Sequence, residues 1–385
     1  MQYLAVLGRL PALSIAELSA QFPASEASFE RGENLRQNLL FFSLPDGQTP
    51  DISRFGGVQK FGVFLGNFKA TVDFLSSLPE GKITLGLSDF RPHASAFKAQ
   101  GEALKLKRLL SRNGRSVRVL SNKSAVLSTA TSHHNQLAEK PNHVEIMLTS
   151  AGYFNLLGVQ NITEYAKRDQ ARPARDAKVG MLPPKLAQIL INLCGPLPKN
   201  ARLLDPFCGT GVVLQEALLD GYAAYGTDLD PRMVAYSEKN LAWLTSSSPF
   251  AKTLKSPVFA VEEGDAVSHT WQGTISAVAA EAFLGQPMSA PPADIKLRQE
   301  KARCREILLG FFKNLAPQIA ENTPVVIAVP AWLRPAGHYE TLNLLDEVEK
   351  LGYNVMKFRN LGQADLLYFR EGQIVAREII VLRKR

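Results

Sequence analysis

Residues 201–230 carry the residue types and the spacing from which chemistry can be inferred. A short apolar run ends at Asp205, and the sequence PFCGTG follows it at residues 206–211. Apolar residues then recur at helical spacing. Glycines at 209 and 211 remove side chains that would keep a ligand away from the backbone at the helix N-terminus. The stretch therefore predicts a strand, a glycine turn and a helix that together bind a ligand.

The ligand is indicated by two acids and by one departure from a known fingerprint. A second short strand, residues 223–227, leads to Asp228, where a carboxylate can accept hydrogen bonds from ribose hydroxyls. Leu214 occupies the third glycine position of a dinucleotide fingerprint. Asp205 would repel a pyrophosphate but suits an amino group. Because S-adenosylmethionine has the ribose and the amino group and no phosphate, we expect it to be the cofactor.

Two phrases carry a resemblance to a known family. DPFCGTG, residues 205–211, resembles the first motif of RNA and DNA amino-methyltransferases, in particular that of the THUMP-domain tRNA guanine N2-methyltransferases. RPARDAKVGMLPPKLA, residues 172–187, resembles the segment that precedes this motif in the same family and packs beside the methionine part of the cofactor. The resemblance implies cofactor contacts from Pro184, Asp205, Phe207, Gly209, Thr210, Gly211, Asp228, Leu229, Asp265, Ala266 and Glu281.

Two of these contacts follow a predicted strand over residues 259–262. Asp265 can accept a hydrogen bond from the amino group of the adenine. The alternative is that this carboxylate caps a following helix. Both interpretations of Asp265 stay open at the level of sequence.

A fourth predicted strand, residues 275–279, leads to Glu281, Ala282 and Phe283. At this point amino-methyltransferases place Asp or Asn, two prolines and an aromatic residue. The resemblance implies that Glu281 accepts a hydrogen bond from guanine N2, that the Ala282 carbonyl assists, and that Phe283 stacks on the base. Glu is one methylene longer than Asp, and Ala does not fix the backbone as Pro does. A rebuilt loop, a different target or impaired catalysis would each accommodate this departure.

Composition and charge indicate a globular chain with a polyanionic partner. The 385 residues are 45% hydrophobic and 21% charged, with a formal net charge of +8, and we expect two or three domains. The basic residues between 101 and 123 form either an RNA-binding surface or a solvated helix face. The candidate RNA-binding residues are Lys105, Lys107, Arg108, Arg112, Arg115, Arg118, Arg172 and Arg175.

Cysteine usage and hydropathy exclude several other classes of protein. The three cysteines have no metal-type spacing, so neither a disulfide framework nor a metal site is expected. Cys208 lies within the glycine turn, where a small side chain suffices. No apolar run approaches the ~18 residues of a membrane span, and the N-terminus has no basic leader. We therefore expect a cytoplasmic protein.

The order of predicted elements gives an α/β fold with four segments. We expect a ferredoxin-like domain over 1–52, a THUMP-like RNA-binding domain over 53–165, a linker over 166–180 and a methyltransferase domain over 181–385. The last is expected to be a class I Rossmann-like domain with a seven-stranded sheet and a terminal β-hairpin. Predicted helices include residues 95–111, 124–138, 295–315 and 339–351.

Three functions are compatible with these features. The first is a tRNA guanine N2-methyltransferase, with position 10 of tRNA as the family-based expectation. The second is a methyltransferase for another nucleic acid or amine. The third is a non-catalytic tRNA-binding protein that keeps the cofactor pocket. In each case we expect a monomer, and an accessory protein stays possible.

Overall fold

The computed structural model describes residues 1–31, 38–176 and 181–385, so residues 177–180 of the predicted linker lie outside the described residues. The chain forms two compact units. The N-terminal unit comprises residues 1–15 and 22–165, and the C-terminal unit comprises residues 16–21 and 166–385.

The described residues of the N-terminal unit form one eight-stranded sheet with the order β2-β3-β1-β4-β8-β7-β5-β6. Its strands are β1 Gln2–Leu7, β2 Glu30–Arg31, β3 Leu39–Ser43, β4 Val58–Gly66, β5 Ile83–Asp89, β6 Val117–Val119, β7 His143–Thr149 and β8 Gly152–Val159. The helices from the N-terminus through residue 170 are α1 Pro11–Gln21, α2 Phe68–Ser77, α3 Ala96–Arg112, α4 Thr129–His134 and α5 Ile162–Gln170. Strands from 1–52 and 53–165 share this sheet, and the division into ferredoxin-like and THUMP-like domains stays a prediction.

The helix predicted over residues 124–138 is wrong in length. The structure has only α4 there, which ends before Asn135. Gln136 and Ala138 adopt positive φ angles of 54° and 65°, which a helix does not allow. By contrast, the basic helix predicted over 95–111 is α3, and Gly114 has the positive φ that the predicted turn needs.

Within residues 181–385, the strands follow the order β11-β10-β9-β12-β13-β17-β15, with β14 paired to β13 and β16 paired to β17. The strands are β9 Arg202–Asp205, β10 Ala223–Asp228, β11 Phe259–Glu263, β12 Ala277–Glu281, β13 Pro324–Leu333, β14 Tyr339–Glu340, β15 Tyr353–Val355, β16 Leu367–Tyr368 and β17 Val375–Lys384. The helices are α6 Pro184–Leu193, α7 Val212–Leu219, α8 Pro231–Ser246, α9 Asp294–Leu315 and α10 Leu345–Lys350.

The directions of these strands confirm the predicted class I methyltransferase fold. The five strands β11, β10, β9, β12 and β13 run parallel to one another, whereas β17 runs antiparallel between β13 and β15. The antiparallel pair β16–β17 is the predicted terminal hairpin. Strand order reverses between β9 and β12, and ligands of open α/β sheets bind at the carboxyl ends of strands at such a point.

Two predicted boundaries in this unit are wrong. The strand predicted over 275–279 is β12, which runs two residues further, so that Glu281 ends the strand rather than following it. The helix predicted over 339–351 is the short strand β14 followed by α10. A positive φ of 54° at Asn343 separates these two elements.

Gly211 gives a test of the glycine turn, because it precedes α7 with a φ of 79° and a Cβ there would lie 2.8 Å from Ser237 Oγ. Gly221 is a matched control, since its φ is 86° and a Cβ there would meet no atom within 4 Å. We expect Gly221→Ala to lower the free energy of unfolding by about 1–2 kcal/mol through backbone strain. Gly211→Ala should lose a further ~1–3 kcal/mol through the clash. Equal losses in urea unfolding would contradict the close packing of α8 on the turn.

Candidate functional site

Three acidic side chains lie at the carboxyl ends of neighbouring strands. Asp205 ends β9, Asp228 ends β10 and Glu281 ends β12. In the strand register, Asp205 pairs with Gly226, and Leu204 pairs with Val278. Asp228 and Glu281 therefore lie further toward the carboxyl ends of the strands than Asp205 does. They stand on the two strands that flank β9.

Asp205 is the most buried of the three, with 2% of its surface exposed. Burial raises the pKa of its carboxyl well above the usual range, and the negative charges of Asp228 and Glu281 raise it further. A hydrogen bond of 3.1 Å from Phe207 N to Asp205 Oδ1 acts in the opposite direction. A positively charged ligand group beside Asp205 would relieve the repulsion among the three acids.

Asp228 joins the end of β10 to the glycine turn. Its Oδ2 accepts a hydrogen bond of 2.9 Å from Gly209 N, and its Oδ1 accepts one of 2.9 Å from Asp230 N. Burial raises the pKa of this carboxyl, whereas the two backbone donors lower it. The next residue, Leu229, is 68% exposed and presents an apolar surface beside the acid.

Helix α8 holds the glycine turn through two polar residues that the sequence analysis did not single out. Ser237 Oγ donates to Gly209 O at 2.9 Å, and Asn240 Nδ2 donates to Thr210 O at 2.8 Å. Asn240 also binds both backbone groups of Ala174, at 2.9 Å and 3.0 Å. Both side chains are buried on the inner face of an otherwise amphipathic helix, and that position is the signal that could have identified them.

Cys208 lies within the same turn and is buried. Burial raises the pKa of its thiol well above the ordinary value, and Asp205 and Asp228 raise it further. Because a thiol in this environment stays protonated, Cys208 serves to pack the turn rather than to act as a nucleophile.

The remaining predicted cofactor contacts differ in how far they are exposed. Pro184 is a buried residue at the start of α6, and Phe207 packs against Phe311 with ring centroids 5.3 Å apart. Ala266 is buried, whereas Asp265 is exposed. Asp265 Oδ1 accepts a hydrogen bond of 3.0 Å from Val267 N, so this carboxylate caps a turn rather than the helix that the alternative prediction required.

The loop after Glu281 is held by β13 and α9. Ala282 N donates to Ala328 O at 3.0 Å, and the guanidinium carbon of Arg303 lies 4.9 Å from the centre of the Phe283 ring. Further along, Gln286 N donates to Glu300 Oε2 at 3.2 Å. These contacts stabilise a loop in which Ala282 stands where the resembled family has its first proline.

The predicted RNA-binding residues divide into exposed and internal side chains. Lys105, Arg108, Arg112 and Arg118 are exposed, Lys107 is half-buried, and Lys105 pairs with Glu102 at 3.1 Å. Arg115 donates to the carbonyls of Leu78 and Pro79 at 2.9 Å and 2.7 Å, so its guanidinium stabilises the backbone of the N-terminal unit at these two residues.

Arg172 and Arg175 also differ in exposure: the first is buried and the second is exposed. The structure corrects the placement of Arg172 on an RNA-binding surface, because this residue is only 3% exposed. Its guanidinium donates to Asp169 at 3.3 Å, and burial lowers its pKa. Arg175, three residues later, is exposed.

Within residues 1–31, 38–176 and 181–385, no group of three or more His, Cys, Asp or Glu side chains could hold a metal ion. No helix in these ranges is both long and apolar enough to cross a membrane.

The sequence of this chain is similar to those of known methyltransferases. Residues 172–249 match the family model described as "UPF0020: RMKL-like, methyltransferase domain". The tRNA (guanine(10)-N2)-dimethyltransferase of Methanothermobacter thermautotrophicus is 29% identical over 167 residues, which are 43% of this chain and 44% of that protein. The protein of the same name from Methanocaldococcus jannaschii is 29% identical over 128 residues, 33% of this chain and 36% of that one.

The matched region thus spans less than half the length of these curated relatives. Among solved structures, TrmN from Thermus thermophilus covers 100% of both chains with a TM-score of 0.46 and 18% sequence identity. The family match and the curated relatives confirm the predicted resemblance to tRNA guanine N2-methyltransferases and, with it, S-adenosylmethionine as the cofactor. The THUMP-like assignment and the individual site residues stay predictions.

The buried bonds of Asn240 can be tested by comparing Asn240→Ala with Asn354→Ala, a change at an exposed position. Loss of Asn240 leaves the Ala174 amide and the Ala174 and Thr210 carbonyls without their partner. We expect a loss of at least about 2 kcal/mol in the free energy of unfolding and weaker cofactor binding. Asn354→Ala should change stability by no more than ~0.5 kcal/mol. Similar urea midpoints for the two variants would argue against the anchoring role.

Asp205→Asn should stabilise the ligand-free protein. The folded-state pKa of Asp205 is raised above its unfolded value, so folding keeps a proton that the unfolded chain releases. Stability therefore falls as pH rises from the unfolded value toward the raised folded one. Asn keeps the acceptor for Phe207 N and removes the charge, so we expect a Tm rise of about 2–4 °C for each kcal/mol regained.

The control for this comparison is Glu349→Gln, which removes a carboxylate from an exposed site on α10. It should leave both Tm and cofactor affinity unchanged, whereas Asp205→Asn should weaken S-adenosylmethionine binding at least about tenfold through loss of a charge-assisted hydrogen bond. A lower Tm for Asp205→Asn at neutral pH would contradict the charge repulsion inferred here.

Proposed function

We propose that this chain transfers the methyl group of S-adenosylmethionine to the exocyclic N2 amine of a guanosine in tRNA. One observation carries the proposal: Asp205, Asp228 and Glu281 converge beside a glycine turn. Asp205 and Asp228 lie within residues 172–249, which match a methyltransferase domain. The names of the curated relatives support tRNA as the substrate and position 10 as the target.

The residues of the site fit the cofactor. A Cβ at Gly209 would meet nothing closer than Phe207 O at 4.0 Å, so a ligand can approach the backbone there. Asp228 has lone pairs left for ribose hydroxyls, and exposed Leu229 would be covered by the adenine ring. Asp205 would bind the amino group, because a cation there offsets the repulsion of three acids.

Other residues would complete the binding of the cofactor. Asp265 and Ala266 would contact the adenine, with the Asp265 Oδ2 left for the adenine amino group while Oδ1 holds the turn. The methionine part of the cofactor would contact Pro184. The glycine turn would contact the cofactor through Phe207, Thr210 and Gly211. When bound, S-adenosylmethionine supplies an electrophilic methyl group on a sulfonium.

Glu281 would act on the guanine amine. The N2 lone pair is delocalised into the ring, so the amine is a poor nucleophile until an acceptor favours a more tetrahedral nitrogen. Glu281 Oε2 would accept a hydrogen bond from N2–H, and the carboxylate would take up the proton that the nitrogen loses as the new N–C bond forms. The carbonyl of Ala282 would accept from the second N–H, and Phe283 would stack on the base.

The basic residues would bind the RNA backbone. Lys105, Arg108, Arg112, Arg118 and Arg175 are exposed and would contact phosphates, which makes binding weaker at higher salt. A guanosine paired within a helix would have to be swung out before its amine could reach Glu281. We infer a cytoplasmic monomer, as the sequence analysis predicted.

Replacement of Glu281 tests the proposal. The assay combines purified protein, unmodified host tRNA and methyl-labelled S-adenosylmethionine, followed by nucleoside analysis. We expect the wild type to form N2-methylguanosine, and Glu281→Gln and Glu281→Ala to lose at least about a hundredfold in kcat. Glu371→Gln, an exposed change in the terminal hairpin, is the matched control and should keep full activity.

Three results would contradict the proposed function or the proposed role of Glu281. Label in another nucleoside or in another amine would identify a methyltransferase of different specificity. Binding of tRNA and cofactor without turnover would identify a binding protein. Undiminished methylation by Glu281→Ala would remove Glu281 from the mechanism.

A further inference from the structure

Arg377, in β17, lies against the proposed catalytic acid and has no part in the mechanism so far. Its Nε donates to Glu281 Oε1 at 2.7 Å. The two side chains are 10% and 17% exposed, so the pair is largely shielded from water. The residues are 96 positions apart in the chain, and only the order of strands brings them together.

The strand register explains how the arginine reaches the acid. Glu281 pairs with Ala328 in β13, which pairs in turn with Ile379 in β17. Because side chains alternate along a strand, Arg377 projects from the same face as Ile379 and Glu281. Ala328 and Pro330, which stand between them on that face, are small enough for the arginine to extend across β13.

The backbone of Arg377 is fixed from both sides. It pairs with Pro330 in β13 on one side and with Tyr368 in β16 on the other. The terminal hairpin therefore gives the guanidinium a rigid base. A planar guanidinium directs its hydrogen bonds along fixed lines, so the orientation of Arg377 restricts the orientation of the carboxylate that it binds.

We propose that Arg377 is a positioning residue for Glu281, an inference that rests on the proposed function. Glu has one more rotatable bond than Asp, and Ala282 leaves the following backbone less restricted than a proline would. The ion pair holds Oε1 and leaves Oε2 to accept from the amine. Within the described part of the chain, the structure gives Glu281 no side-chain hydrogen bond other than the one from Arg377.

The test is a double-mutant cycle measured by methyl transfer to tRNA under single-turnover conditions. We expect Arg377→Met to lower the rate constant about 10- to 100-fold, because a carboxylate that samples several orientations is misplaced by about 1 Å. The dissociation constant for S-adenosylmethionine should change less than about threefold, since the changed contact is on the acceptor side. Arg377→Lys, which keeps the charge, should recover part of the rate.

The second arm separates positioning from a general structural role. In a Glu281→Gln background, Arg377→Met should cause little further loss, because its effect acts through the carboxylate. Arg383→Met is the matched control on the same strand, since Arg383 Nη1 donates to the carbonyl of Asn322. It should leave the rate unchanged. The Tm of every variant shows whether it is folded at the assay temperature.

The outcomes distinguish this inference from the proposed function. An unchanged rate in Arg377→Met, or an equal loss in the wild-type and Glu281→Gln backgrounds, would overturn the positioning role while the methyltransferase activity stands. A wild-type protein that methylates no tRNA would overturn the proposed function, and the positioning role with it.

Discussion

The repulsion among three carboxyls at one edge of a parallel sheet is the constraint on which the site depends. Asp205 is buried between Asp228 and Glu281, and a protein has little reason to keep such an arrangement for stability alone. Each of the surrounding contacts offsets part of the unfavourable electrostatic free energy of these three carboxylates. The backbone N–H of Gly209 donates to Asp228, Phe207 N donates to Asp205, and Arg377 donates to Glu281. A cationic nucleoside would offset the rest.

The N-terminal unit also contains a buried carboxylate, that of Glu145, and there it is paired with other side chains. Lys60 Nζ lies 2.6 Å from Glu145 Oε1 and also donates to the carbonyl of Leu127. Ser88 and Ser132 donate to the two oxygens of the same carboxylate at 2.5 Å and 2.6 Å. This network satisfies each charge inside the sheet. The contrast separates a buried acid that is fully paired, as in a structural core, from one that still favours a ligand.

Local chemistry was predictable from the sequence, and long-range partners were not. The glycine turn, Asp228 and helix α3 follow from spacing and periodicity within about thirty residues. Arg377 could not be matched with Glu281 before the order of strands was known, because the register across β13 creates the pair. The charge of Arg172 favours a position on the surface, yet its guanidinium is buried and pairs with Asp169. The helix predicted over 124–138 is longer than α4, because the left-handed conformation of residues 136 and 138 leaves no clear signal in composition.

Proton release on cofactor binding would show whether the cofactor relieves the repulsion at Asp205. The measurement is calorimetric titration of the protein with S-adenosylmethionine in buffers of different ionisation enthalpy, at several values between about pH 5 and 8, where ordinary aspartates are already ionised. We expect binding to release a proton at the lower pH values, because the ammonium group of the cofactor favours the ionised form of Asp205. We expect no such release from Asp205→Asn. Binding with no proton release at any pH, or equally tight binding of a dinucleotide such as NAD, would contradict it.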